Sequence, residues 1–227
     1  MLSALGLALA LSACENVAGY TQPSLVRVID ASYMAPAVNV DVERALIASN
    51  IGQGSITSYA TLPASINAAV AVTAVTGGAT LASANGALLA GQQQSIFLTD
   101  NSAAPAGYQV TILEDQQAPA PAGHSAFRFL NQAVKTGAVD IYMVPSGATL
   151  AESIPLVSDL GVGVSAGYVN FAAQTVTMVI TPTGLATPSY TSAALALTGG
   201  EVRTVLIIDT QLTSNPPIQI YMANDVN

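Results

Sequence analysis

The chain has one cysteine, one histidine, no tryptophan and only five lysines and arginines among its 227 residues. Each shortage removes a class of chemistry. A lone cysteine cannot close an intramolecular disulfide, so stability has to come from the core, which a hydrophobic content of 51% can supply. One histidine leaves a conventional zinc centre without ligands and a serine nucleophile without its usual base. Five scattered cations cannot form the phosphate-tracking stripe of a nucleic-acid binder. Charged residues make up 8% of the chain, against about 25% in average proteins, and Ala45 to Thr99 carries no charge at all. A transmembrane β-barrel is disfavoured too, because aromatics at 5% give little from which to build interfacial girdles.

The one cysteine is informative by its place. Leu2 to Ala13 is an unbroken run of apolar and small residues ending in "LSAC" at 11–14. As a helix it is too short for a hydrocarbon core of about 30 Å, so the run reads as the hydrophobic region of a signal peptide. The opening "MLSALG" has no Lys or Arg, which such peptides ordinarily carry. "LSAC" resembles a bacterial lipobox. That resemblance implies cleavage after Ala13 and acylation of Cys14, and several acyl chains together hold a protein at a membrane. Glu15, where Asp would mark retention in the inner membrane, points to the outer membrane. Residues 1–13 are expected to be a lipoprotein signal peptide and 14–23 a tether.

The halves of the remaining chain match each other. "VRVIDASYMAPAVNVDV" at 26–42 aligns without a gap with "FRFLNQAVKTGAVDIYM" at 127–143, pairing Arg27 with Arg128, Val38 with Val139 and Asn39 with Asp140. "GQGSITSY" then pairs with "GVGVSAGY", placing Gly52, Gly54 and Tyr59 on Gly161, Gly163 and Tyr168. "SIFLTD" at 95–100 matches "TVLIID" at 204–209, and "QVTILED" at 109–115 matches "QIYMAND" at 219–225. The chain is therefore read as a tandem duplication, 24–115 and 126–227, joined by a Pro/Ala linker at 116–125 whose composition favours an extended connector.

Within each copy the apolar period is two. In "AVNVDVE" Val38, Val40 and Val42 point one way and Asn39, Asp41 and Glu43 the other, the pattern of a half-buried strand. Similar runs separated by Gly, Pro and Asn clusters give seven or so strands per copy, and predict an all-β protein of two tandem antiparallel β-sandwich domains of immunoglobulin-like type. The Asn-Gly of "ASANGALLAG" predicts a hairpin there. The glycine pairs of "GQGSIT" and "GVGVSA" lack the third glycine and following helix of a dinucleotide fingerprint and read as bulges or tight turns.

"VRVIDASYMAPAVNVDV" is similar to the "VRVxHASPDAPAVDVYV" signature of the domain of unknown function 4397, specifically in Arg27, Ala31, Ser32, Ala35, Pro36, Ala37 and Val38. The second copy keeps Ala138, Val139, Asp140, Ile141 and Tyr142 but loses the "HASPDAP" turn. The resemblance implies an exported bacterial protein with tandem β-sandwich modules and no shared biochemical activity. The family's usual His is replaced here by Asp30 and Asn131.

Few residues invite a chemical role. Arg27 and Arg128 occupy equivalent places and are expected to pair across strands, Arg27 with Asn39 or Asp41 and Arg128 with Asp140. Tyr59 and Tyr168 are candidate ligand-contact aromatics, with packing at a sandwich edge as the blander alternative. His124 falls in the linker. Asp30, Asp41, Glu43, Asp100 and Asp115 could gather around calcium, but no dense Asp/Asn loop supports this. Asp41 and Glu43, two apart on a strand, have a spacing near that of a glycosidase pair, with no aromatic sugar platform beside them. No catalytic residue, metal or cofactor is expected. The sequence reads as a non-enzymatic, lipid-anchored envelope protein serving adhesion, matrix or assembly contacts, with a carbohydrate-binding module as runner-up and a glycoside-active enzyme third. Its expected partners are the membrane through Cys14, copies of itself, and envelope protein or polysaccharide, with no nucleic acid. The stretches "AAVAVTAV" at 68–75 and "QTVTMVIT" at 174–181 are expected association edges, because one lysine in the whole chain gives little edge protection.

Overall fold

A computed structural model describes residues 22–101, 107–210 and 217–226. The first repeat forms eight strands: β1 (Ser24–Asp30), β2 (Val38–Val42), β3 (Ala45–Ile51), β4 (Ala60–Leu62), β5 (Ser65–Ala74), β6 (Thr80–Leu88), β7 (Gln93–Asp100) and β8 (Tyr108–Glu114). The second forms their counterparts: β9 (His124–Gln132), β10 (Val139–Pro145), β11 (Val157–Leu160), β12 (Val169–Ala172), β13 (Thr175–Pro182), β14 (Tyr190–Ala196), β15 (Val202–Asp209) and β16 (Ile218–Asn224). Among the described residues one 3-10 turn, Leu150–Glu152, is capped by Thr149 and Glu152. Among the described residues no helix is long and apolar enough to cross a membrane.

Each repeat pairs two four-stranded sheets, ordered β3-β2-β5-β6 over β4-β1-β7-β8, and β11-β10-β13-β14 over β12-β9-β15-β16. The all-β, double-sandwich expectation holds. One detail is new: β1 and β7 run parallel, as do β9 and β15, while the other pairs are antiparallel. A parallel pair needs a long crossover, and the chain from β2 to β6 provides it, building the outer sheet and the inner-sheet edge strand β4 on the way.

The period-two reading places the cores. Val38, Val40 and Val42 meet Val26, Val28, Ile96 and Leu98 inside the first sandwich, and Phe127, Phe129, Ile141, Val205 and Ile207 do the same in the second. The alternate residues of the same inner strands, Ile29, Phe97, Leu130, Leu206 and Ile208, form a further buried cluster drawn from both repeats. The inner sheets therefore pack face to face and the molecule is four layers deep. β1, β7, β9 and β15 are buried on both sides, which is why "SIFLT" and "TVLIID" run apolar without alternating.

Three local expectations change. The Asn85-Gly86 pair lies inside β6 rather than in a hairpin turn, laddered against Ala69 and Ala68 of β5; a Cβ on Gly86 would meet only the flexible end of Ile112, 2.7 Å from its Cδ1. The expected association stretches 68–75 and 174–181 fall mainly in β5 and β13, interior strands already paired on both sides. Their unprotected appearance reflects burial within the sheet. Glu43 also leaves the strand: it stands at φ 49° in the β2–β3 turn, beside Arg44 at φ 69°, and accepts a hydrogen bond from Ala69 N, so it shares no strand face with Asp41.

Left-handed backbone is costly for a side chain with a Cβ. Arg44→Gly is therefore expected to raise stability by about 0.5–1 kcal/mol in a urea titration. An unchanged or lowered midpoint would count against the turn geometry.

Candidate functional site

The junction between the inner sheets holds two features, a buried charge cluster and a cleft. Arg27 and Arg128 project from equivalent positions of β1 and β9 onto the junction face and are 2% and 3% exposed. Neither reaches its expected partner. Arg27 crosses to the second repeat, donating Nη2 to Asp225 Oδ1 and Nη1 to Asn224 O at 2.9 Å, while its Nε donates to Ser95 of its own repeat at 2.7 Å. Arg128 makes the reciprocal crossing, with Nη2 to Asp115 Oδ1, Nη1 to Glu114 O at 3.0 Å and Nε to Thr204 at 3.0 Å.

Each aspartate is completed from its own repeat. Asp115 Oδ2 accepts from Tyr59 at 2.8 Å and Ser95 at 2.7 Å, and Asp225 Oδ2 from Tyr168 and Thr204, both at 2.7 Å. The arginines also lie over aromatic rings, Arg27 4.8 Å from Tyr59 and Arg128 5.0 Å from Tyr168. Burial first, with the arginines pulling down and the carboxylates pushing up, holds both phenols well above their ordinary range, so they stay neutral donors. Burial alone would lower the Arg27 pKa, but Asp225 and Asp115 more than reverse this. The groups are turned on one another, which makes the cluster a fastening between repeats and leaves no free nucleophile or base.

The remaining candidates scatter. Asn39 and Asp140, proposed as arginine partners, instead accept from the backbone N–H of Asn50 and Asp159, at 2.9 and 2.8 Å, and support the equivalent residues held at φ 52° and 53° in the neighbouring strands. Asp140 Oδ2 accepts from Gly184 N as well. Asp41 is half-buried on β2, away from Arg27. Tyr59 and Tyr168 serve the fastening. His124 begins β9 with an exposed side chain, its Nδ1 3.1 Å from Ala122 O. Of the calcium candidates, Asp30 and Asp100 come together near Ser32, and among the described residues no group of three His, Cys, Asp or Glu could hold a metal. Cys14 lies outside the described residues.

The cleft is what sequence reasoning missed. It encloses about 790 Å³ between the repeats and is lined by Tyr33, Phe97, Tyr108, Thr111, Lys135 and Gly163 together with aliphatic residues, the carboxylates of Asp100 and Asp209 and the amides of Asn101 and Gln109. Asp100 shapes one wall by accepting from Ser32 Oγ, Tyr33 N and Met34 N at 2.6, 2.7 and 3.3 Å. Asp209 shapes the other by accepting from Lys135 N and Thr136 Oγ1 at 2.7 and 3.2 Å. The Lys135 ammonium donates across the repeats to the Tyr33 hydroxyl at 2.6 Å and lies 4.5 Å from that ring; the hydrogen bond to Tyr33 raises its pKa. A volume of this size suits a small-molecule ligand. The advance signal was one unlike pair, Thr111 against Tyr221, within the matched stretches 109–115 and 219–225.

A family model described as "Domain of unknown function (DUF4397)" matches residues 24–142. No curated protein matches the chain at significant similarity. Among solved structures it is similar to the crystal structure of CBMbc (family CBM26) from Eubacterium rectale Amy13K in complex with maltoheptaose, at 10% identity over 87% of this chain and 96% of that chain. The TM-score of 0.29 makes that likeness too distant to bear on a ligand.

Proposed function

The chain belongs to the family of the domain of unknown function DUF4397, and from that premise we propose that it is a lipid-anchored cell-envelope protein, non-enzymatic, whose paired β-sandwich modules make adhesion, matrix or assembly contacts. The observation that carries this reading is one equivalent pair of outer-sheet edge strands, β6 and β14. Among the described residues no strand pairs with the outer side of β6 or β14. "TLASANGAL" and "YTSAALA" hold no charge and no proline, although such residues ordinarily blunt an exposed edge. The internal repeat gives one molecule two equivalent edges. A body fastened at its centre and carrying such an uncharged edge on each repeat can bridge neighbours, and acylation of Cys14 would hold it where those neighbours are.

Sedimentation of the soluble, unlipidated form tests the contact. Self-association is expected to rise with concentration and to be suppressed by Ser83→Lys together with Thr191→Lys, both exposed positions on these edges. A clean monomer at high concentration, or association indifferent to the lysines, overturns it. The anchor is tested separately by alkyne fatty-acid labelling, which Cys14→Ala is expected to abolish.

A carbohydrate-binding role is the second reading, favoured by the tyrosines lining the cleft. Specific saturable binding on a soluble-glycan array would put it first.

A further inference from the structure

The two copies meet so that each feature at one corner of the junction has a counterpart at the other. At the first corner Gly54, at φ 78°, lies beneath the ring of Tyr221. A Cβ placed on Gly54 would fall 2.3 Å from Tyr221 Cζ, so the phenol ring rests directly on the glycine backbone. Tyr221 packs there against the cluster of Ile29 and Leu206. At the second corner the counterpart glycine is Gly163, with the same φ of 78° and nothing within 4 Å of its Cβ position.

The counterpart of Tyr221 is Thr111. Strand register confirms the equivalence: Tyr221 stands opposite Leu206 in the β15–β16 pair, and Thr111 stands opposite Phe97, the partner of Leu206 in the repeat, in the β7–β8 pair. Thr111 and Gly163 both line the cleft. Where one copy fills the corner with its own aromatic ring, the other carries a side chain smaller by most of that ring, and the cleft occupies the difference.

We infer that this cleft is a binding site for a planar aromatic ligand, whose ring seats against Gly163 as the Tyr221 ring seats against Gly54. The surroundings suit such a group. Leu113, Val134 and Val162 offer apolar surface to bury its faces, over a floor closed by the buried Phe97 and Leu130. Lys135 donates one hydrogen bond to Tyr33 and has two further N–H donors for a phenolic hydroxyl on the ring, while Asp100 and Asp209 in the same lining disfavour an acidic substituent. A neutral sugar is matched less well, because the ammonium of Lys135 lies over the Tyr33 ring that would serve as its platform.

The probe is p-cresol, the tyrosine side chain as a free molecule, titrated by NMR into the full-length soluble protein. Saturable binding at one site is expected, with an affinity on the order of millimolar for so small a ligand and shifts centred on Phe97, Tyr108 and Gly163. Thr111→Tyr supplies the missing ring from within and is expected to weaken binding at least tenfold while the fold is kept. Tyr221→Ala opens the first corner and is expected to add a second site of similar affinity; if that variant fails to fold, Thr111→Tyr decides alone. Binding unchanged in Thr111→Tyr, shifts that never saturate, or a neutral oligosaccharide that binds these residues when p-cresol does not would each overturn the assignment.

Discussion

Arg128→Ala is expected to destabilise the protein by about 3–5 kcal/mol, enough to unfold a large share of a marginally stable chain. The reason lies in what the truncation leaves behind. Asp115 is 2% exposed and would keep its hydrogen bonds from Tyr59 and Ser95 but lose the guanidinium that neutralises it, while Glu114 O would lose its donor. Arg27→Ala should cost a similar amount through Asp225, which is 0% exposed. Arg27 Nη2 also lies 3.7 Å from Asp115 Oδ2, so the two losses should not add in a double-mutant cycle. Removing charge from both sides at once, as in Arg128→Met with Asp115→Leu, should recover part of the loss, because a buried pair costs nearly as much to desolvate as it returns, less what the Tyr59 and Ser95 hydroxyls lose with their acceptor. Urea titrations of these four variants check this. A loss below about 1 kcal/mol for Arg128→Ala is what a solvated surface pair would give, and would contradict the buried fastening.

Asp30→Asn is expected to stabilise the protein above pH 7. The side chain of Asp30 is fully buried; Oδ1 accepts from Ser32 N at 3.0 Å and Oδ2 has no partner. Its counterpart Asn131 accepts from Ala133 N in the same way, at 2.9 Å, and in addition donates Nδ2 to Gly137 O and Leu160 O at 2.9 and 2.8 Å. An amide has a donor to give at this place and a carboxylate has none. Burial, opposed by the Ser32 hydrogen bond and reinforced by the charge of Asp100, pushes the Asp30 carboxyl up to about 7. The folded state thus holds a proton that the unfolded chain releases near pH 4. Stability falls as pH rises from about 4 to about 7 and is flat beyond, with a loss on the order of 4 kcal/mol. Asparagine does not titrate, so the advantage of Asp30→Asn should be small at pH 4, grow through this window and hold at pH 8. Paired denaturation curves at pH 4.5 and 8 measure it. A pH-independent difference, or destabilisation at pH 8, would contradict the reading.

Sequence alone determined the repeat, the strands and the core of each sandwich. Those features follow from local regularities: Val38, Val40 and Val42 alternate because one face of β2 is wet, and the same register recurs in Val139 and Ile141. Family membership was legible for the same reason, in the contiguous run from Arg27 to Val42. Tertiary structure alone decided how the repeats meet. The equivalence of Arg27 and Arg128 was visible, but their partners were sought on the neighbouring strand, when each reaches a carboxylate at the far end of the other repeat. Nothing within one copy encodes that exchange. It arises because two inner sheets share a dry face, where a charge must find whichever opposite charge the packing brings to it. The cleft is decided in the same way, since Thr111 and Tyr221 are an ordinary substitution in an alignment and become a vacancy and a plug only when each is set against a glycine backbone of the other repeat.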